Sequence, residues 1–121
     1  MTIRTIQKDH IAIAIVQSDE LLITDVSSAL DLIATVGYQT GCERMILNKE
    51  AITESFFKLS TGLAGEILQK FVNYDMKLAV IGDFSHYTSK PLRDFIYESN
   101  RGKHIFFVSD EENAIGKLSN I

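Results

Sequence analysis

The run Met76–Ile81 (MKLAVI) constrains the fold more than any other stretch of the chain. It has the continuous hydrophobicity of a central strand covered on both faces, a pattern that belongs to parallel sheets. Helical spacing stands on either side of it. Ahead of it, Leu63, Ile67, Leu68, Phe71 and Val72 share one face of a helix that Ser60 or Thr61 can cap. After it, Pro91 sits near the start of a helix capped by Ser89, with Leu92, Phe95 and Ile96 inward and Asn100-Arg101-Gly102 ending it.

The remaining segments extend the alternation. Thr2–Gln7 and His10–Val16 are two β-rich runs across a Lys8-Asp9 break, which predicts an antiparallel hairpin. Leu21-Leu22-Ile23 reads as a short third extended piece. Thr24 or Asp25 is an N-cap for a helix over about Asp25 to Val36, with Gly37 placed as its C-cap. Arg44–Asn48 is a short buried strand, and Thr53 caps a helical turn carrying Phe56, Phe57 and Leu59. His104–Val108 is the last strand, and Ser109 to Glu112 has the spacing of a capping box ahead of a helix with Ala114, Ile115 and Leu118 inward. The order β-β-(β)-α-β-α-β-α-β-α predicts one α/β domain over residues 1–121. Its sheet is expected to be mixed and mainly parallel, with an N-terminal β-hairpin and helices packed around it.

Composition narrows the function classes. A chain of 121 residues can bury a real core, and a net charge of −4 gives no electrostatic case for nucleic acid. The basic cluster Arg101-Gly102-Lys103-His104 is too short for a phosphate-binding patch. No apolar run is long enough to span a bilayer, and the N-terminus lacks the apolar core of a signal peptide, so the expected location is cytoplasmic. The single cysteine, Cys42, allows no intramolecular disulfide and no Cys-rich metal site. His10, His86 and His104 are scattered without metal-ligand spacing, and the expectation is no cofactor.

In open α/β sheets, ligands favour the loops at the carboxyl ends of parallel strands. Here those loops offer a strand-end pocket built from Lys49, Glu50, Asp83, Ser85 and His86, with Asp83 and His86 as an acid/base pair and Ser85 or Ser60 as a nucleophile. The same residue types are common in loops and caps, which is the plainer reading. Ser60-Thr61-Gly62-Leu63-Ala64-Gly65 superficially has the form of a glycine-rich anion cradle. It lacks the Gly-Lys-Ser/Thr ending of a P-loop and the triple glycine of a dinucleotide fold, so a capped helix start is the better reading.

The element order and the turn Lys58-Leu59-Ser60-Thr61-Gly62-Leu63 resemble the STAS domain, the family named for sulphate transporters and anti-sigma-factor antagonists. The strand ending Val80-Ile81-Gly82 fits the same layout. The segment TGLAGEILQKFVNYDMKLAVIGDFSHYTSKPLRDFIYESNRG looks more closely like a bacterial domain-of-unknown-function family, number 4180, and the likeness covers nearly the whole chain. In regulatory STAS proteins the turn residue accepts a phosphate from a kinase partner and the surrounding surface binds that partner. The matching positions are Ser60 and Thr61, followed by Gly62. This chain departs from the family in carrying Lys58-Leu59 where an acidic residue usually precedes the serine.

The expected function is therefore a small cytoplasmic regulatory module acting through an unidentified protein partner, switched at the Ser60-Thr61 turn. One alternative is a small-molecule-binding protein or enzyme using the loops around Asp83 and His86, although the pattern leans away from catalysis. The other is a structural homodimer built on exposed apolar residues. Neither nucleic acid nor a membrane is expected as a partner.

Overall fold

The hairpin at the start of the chain closes one residue later than its polar break implies. In the computed structural model, which describes residues 1–121, β1 (Thr2–Lys8) and β2 (Ile11–Gln17) pair antiparallel from Thr2 opposite Gln17 to Lys8 opposite Ile11. The connection is Asp9-His10, with φ of 54° and 67°. Positive φ at both central residues is the signature of the type I′ turn, whose twist suits a two-residue hairpin. His10 is thus a turn residue and not the first residue of a strand.

The chain continues as α1 (Val26–Thr40), β3 (Arg44–Asn48), α2 (Leu63–Asn73), β4 (Lys77–Ile81), α3 (Lys90–Arg101), β5 (Ile105–Val108) and α4 (Glu111–Ser119). The sheet is mixed: its strands lie in chain order from β1 to β5, and every pair after the hairpin is parallel. The piece around Ile23 adds no strand. It makes a single parallel bridge to Ile52, with Thr53 N–H donating to the Ile23 carbonyl at 2.9 Å.

A sheet that grows in one direction places its crossover helices on one face, given the single hand of parallel crossovers. The side chains follow that geometry. Ala14, Val16, Met45, Leu47, Leu78, Val80 and Phe107 form the larger core with Leu32 and Ile33 of α1, Ile67 and Phe71 of α2, and Leu92 of α3. The alternate residues Ile13, Ile15, Ile46, Ala79 and Phe106 meet Ala114 and Leu118 of α4 on the other face. The apolar run that begins at Met76 is therefore buried on both sides, as its sequence implies.

Several ends differ from the sequence reading. α1 runs through Gly37 and stops at Gly41, whose N–H bonds the Gly37 carbonyl at 2.9 Å. Its start is the expected one, with Asp25 accepting from Ser28 N–H at 2.8 Å in a reciprocal capping box. Asp110, not Ser109, caps α4 by accepting from Asn113 N–H at 2.8 Å. Val72 is 46% exposed because the buried stripe of α2 is Ala64, Ile67, Leu68 and Phe71, which leaves the next position on its flank.

Candidate functional site

Between β3 and α2 the chain makes three single 3₁₀ turns, Lys49–Ala51, Glu54–Phe57 and Leu59–Thr61. Short turns bury few residues of their own, so this segment is anchored from outside. Asn48, buried at the end of β3, donates from its amide to the Ser18 carbonyl at 2.7 Å and accepts from Ser18 N–H at 2.9 Å. Phe56 and Phe57 insert into the core, with Phe57 meeting Phe84, Tyr87 and Phe107 at ring separations of 5.9, 5.2 and 6.4 Å. The aromatic cluster fastens the turns after β3 to the loop after β4.

Lys49 crosses from one of these loops to the other. Its stem packs against Gly82, and its ammonium donates to Glu54 Oε1 at 2.8 Å. Tyr87 donates to the same carboxylate, 2.9 Å from Oε1 and 3.0 Å from Oε2. The ammonium also lies 5.3 Å from the Phe57 ring centre and 5.2 Å from that of Tyr87, a cation–π distance. Burial pulls the Lys49 pKa down, but the Glu54 carboxylate and the Tyr87 hydroxyl beside it outweigh that and hold it above the ordinary value. The Lys49 hydrogen bond holds Glu54 below the ordinary carboxylate value, with partial burial opposing and Tyr87 assisting. Burial pushes the Tyr87 phenol up. Lys49, Glu54 and Tyr87 therefore stay charged, charged and neutral near pH 7.

A groove of about 480 Å³ opens beside this triad, lined by Glu54, Phe57, Lys58, Leu59, Ser60, His86, Tyr87, Thr88, Ser89, Pro91 and Leu92. It joins the turn before α2 to the loop that leads into α3. The two stretches singled out in the sequence, the serine turn and the loop after β4, thus share one surface. Ser60 is exposed and its hydroxyl makes no hydrogen bond, whereas the Thr61 hydroxyl is tied to the Lys58 carbonyl at 2.8 Å and accepts from Leu63 N–H at 3.2 Å. Neither residue is the N-cap of α2. Gly62 holds that position at φ 75°, a left-handed conformation that glycine adopts without a Cβ penalty. Gly62 and Gly65 both face open space, so no chain approaches them as it would in a glycine-built cradle.

The other proposed pocket residues separate from His86. Asp83 accepts from Ser85 N–H at 2.9 Å and from Ser85 Oγ at 2.6 Å, closing its own loop, and these bonds hold its carboxyl below the ordinary value. No hydrogen bond joins Asp83 to His86, whose ring packs on Tyr87 with centres 4.2 Å apart. Glu50 is exposed and accepts from Asn48 Nδ2 at 3.3 Å. Of the pocket named from the sequence, only His86 lines the groove, while Lys49 stands behind it. Asp83 is turned to its own loop by both bonds from Ser85, so the loop after β4 meets the turns after β3 through Phe84 and Tyr87 instead. Glu54 carried no sequence signal, since it lies in a short 3₁₀ turn without periodicity.

The groove offers hydrogen-bonding hydroxyls, the unpaired cation Lys58, His86 and an apolar floor, and no serine or threonine hydroxyl in it is bonded to a base. No group of three His, Cys, Asp or Glu side chains is placed to hold a metal ion, and no helix is long and apolar enough to cross a membrane. Cys42 is buried near the end of α1. A family model described as a domain of unknown function (DUF4180) matches residues 8–118. No curated protein and no solved structure matches the chain.

Proposed function

The chain belongs to the DUF4180 family, and from that premise we propose that it is a regulatory module that binds another protein at the groove between Ser60 and His86. The observation that carries this reading is the meeting of the serine turn and the loop after β4 on one open, mixed polar and apolar surface. A shallow groove of this kind suits a side chain or a short segment of a protein partner. Small-molecule sites are usually more enclosed and more apolar.

Ser60 is the switch in this reading, because its hydroxyl is free and exposed while that of Thr61 is held in the turn. A phosphate on Ser60 would lie beside Lys58 and His86 and ahead of the N-terminus of α2, all of which favour negative charge. The element order supports a STAS-like fold for the module, with Lys58 in place of the usual acidic residue. A lone buried thiol at Cys42 suits the reducing cytoplasm.

The test is affinity capture from native extract with the wild type and Ser60→Ala, reading partners and phosphosites by mass spectrometry. The expected outcome is a partner lost in the variant while the fold is kept. Unchanged recovery, with no phosphate on Ser60, would count against the switch.

A further inference from the structure

The two edges of the sheet are finished differently. At β5, Asn100 of α3 turns its side-chain amide onto Phe107, donating to the carbonyl at 3.0 Å and accepting from the N–H at 2.7 Å. An amide that satisfies both backbone groups of one residue occupies the place of a further strand and closes that edge. At the other edge β1 carries no such plug, and its backbone hydrogen bonds go to β2 alone. The two-residue turn makes Lys8 and Ile11 the closing hydrogen-bonded pair. By alternation, the N–H and C=O groups of Ile3, Thr5 and Gln7 then point away from the sheet.

We propose that β1 pairs antiparallel with β1 of a second copy, two-fold about Thr5, and extends the sheet across a homodimer. The register is self-consistent. Thr5 faces Thr5 of the partner subunit and Ile3 faces the partner's Gln7, each pair exchanging two backbone hydrogen bonds. Arg4 falls opposite the partner's Ile6, and Thr2 opposite the partner's Lys8, so no like charges meet directly. Arg4 is paired with Glu111 of α4 in its own chain, which draws its guanidinium away from the edge. The strand has no proline and no bulge, two of the devices that keep an edge unpaired, and its charged residues Arg4 and Lys8 each fall opposite an uncharged residue of the partner subunit in this register. The groove is built from the loops after β3 and β4, so this dimer leaves it open.

Sedimentation velocity over a wide concentration range tests the proposal with wild type, Thr5→Lys and Thr5→Pro. The wild type is expected to sediment as a dimer. Thr5→Lys sets two like charges face to face on the two-fold axis, and Thr5→Pro removes an outward N–H without touching the bonds to β2. Both variants should be monomers with the wild-type far-UV circular dichroism. If Thr5→Pro fails to fold, Thr5→Lys decides alone. A wild type that stays monomeric up to its solubility limit, or a dimer that persists in Thr5→Lys, overturns the proposal.

Discussion

Gly82 lies so close to Lys49 that a Cβ on it would stand 2.7 Å from Lys49 Cβ and 2.9 Å from its Cδ. That contact lets the lysine stem pass over the end of β4 and reach Glu54. Gly82→Ala should therefore displace the stem and cost about 1–3 kcal/mol, the usual penalty of overpacking. Chemical denaturation measures it. The cost should shrink in a Lys49→Ala background without vanishing, because the Cβ contact remains while the contacts further along the stem are gone. A Gly82→Ala variant as stable as the wild type would show that the contact is not binding.

Tyr87 and Phe57 separate two contributions to the loop that frames the groove. Tyr87→Phe keeps the stacked ring and removes the bonds to Glu54, so it should cost about 0.5–1.5 kcal/mol. Phe57→Ala empties a site at the centre of the aromatic cluster and should cost about 3–5 kcal/mol. A larger loss in Tyr87→Phe than in Phe57→Ala would mean that the polar triad, and not the packing, holds the loop.

The triad also sets a pH dependence. Glu54 is held below its ordinary value of 4.5, so it contributes stability above that pH and loses it as pH falls through the lower folded value. Lys49 has the opposite sign. Held above 10.5, it contributes below that pH and loses the contribution as pH rises through the higher folded value. Thermal unfolding across pH should show a neutral plateau with both limbs falling. Glu54→Gln should make the acid limb shallower without removing it, because Asp25 and Asp83 are also held low by bonds from Ser28 and Ser85. Its cost at neutral pH should be only about 0.2–1 kcal/mol, since the Glu54 side chain is 63% exposed.

At the hairpin, His10 adopts φ 67°, and glycine is the favoured residue there after an aspartate. His10→Gly should stabilise the fold by about 0.5–1 kcal/mol through relief of the left-handed conformation, net of the added freedom of the unfolded chain. A rise in the denaturation midpoint without a change in slope is the expected signature. A fall would mean that the turn is not of type I′.

Hydrophobic pattern with cap and turn residues placed each of the five strands and four α-helices, because those signals are local, although Leu21-Leu22-Ile23 makes only a single bridge and no strand. The ends were less legible. Gly37 is a credible stop, yet the next turn of helix reaches a better one at Gly41, where the chain turns left-handed before buried Cys42. Ser109 and Asp110 are both good caps, and the helix starts one residue later than the Ser109 spacing implies, with Asp110 bonded to Asn113 N–H. The groove was half legible: Ser60 and His86 were both noted, but their meeting depends on how Phe57, Phe84 and Phe107 pack across two loops. Asn48 and Glu54 act through partners distant in the chain or set in irregular turns, and neither fact leaves a trace in local pattern.

Whether the groove is where a partner docks can be read residue by residue. The measurement is a titration of the isotope-labelled chain with the partner recovered from native extract, followed by amide chemical shifts. Docking at the groove predicts shifts concentrated at Lys58–Ser60 and His86–Leu92, weakened in Ser60→Ala. Shifts concentrated elsewhere, such as around exposed Tyr38 near the end of α1 and Tyr74 just after α2, with the groove residues unmoved, would contradict it.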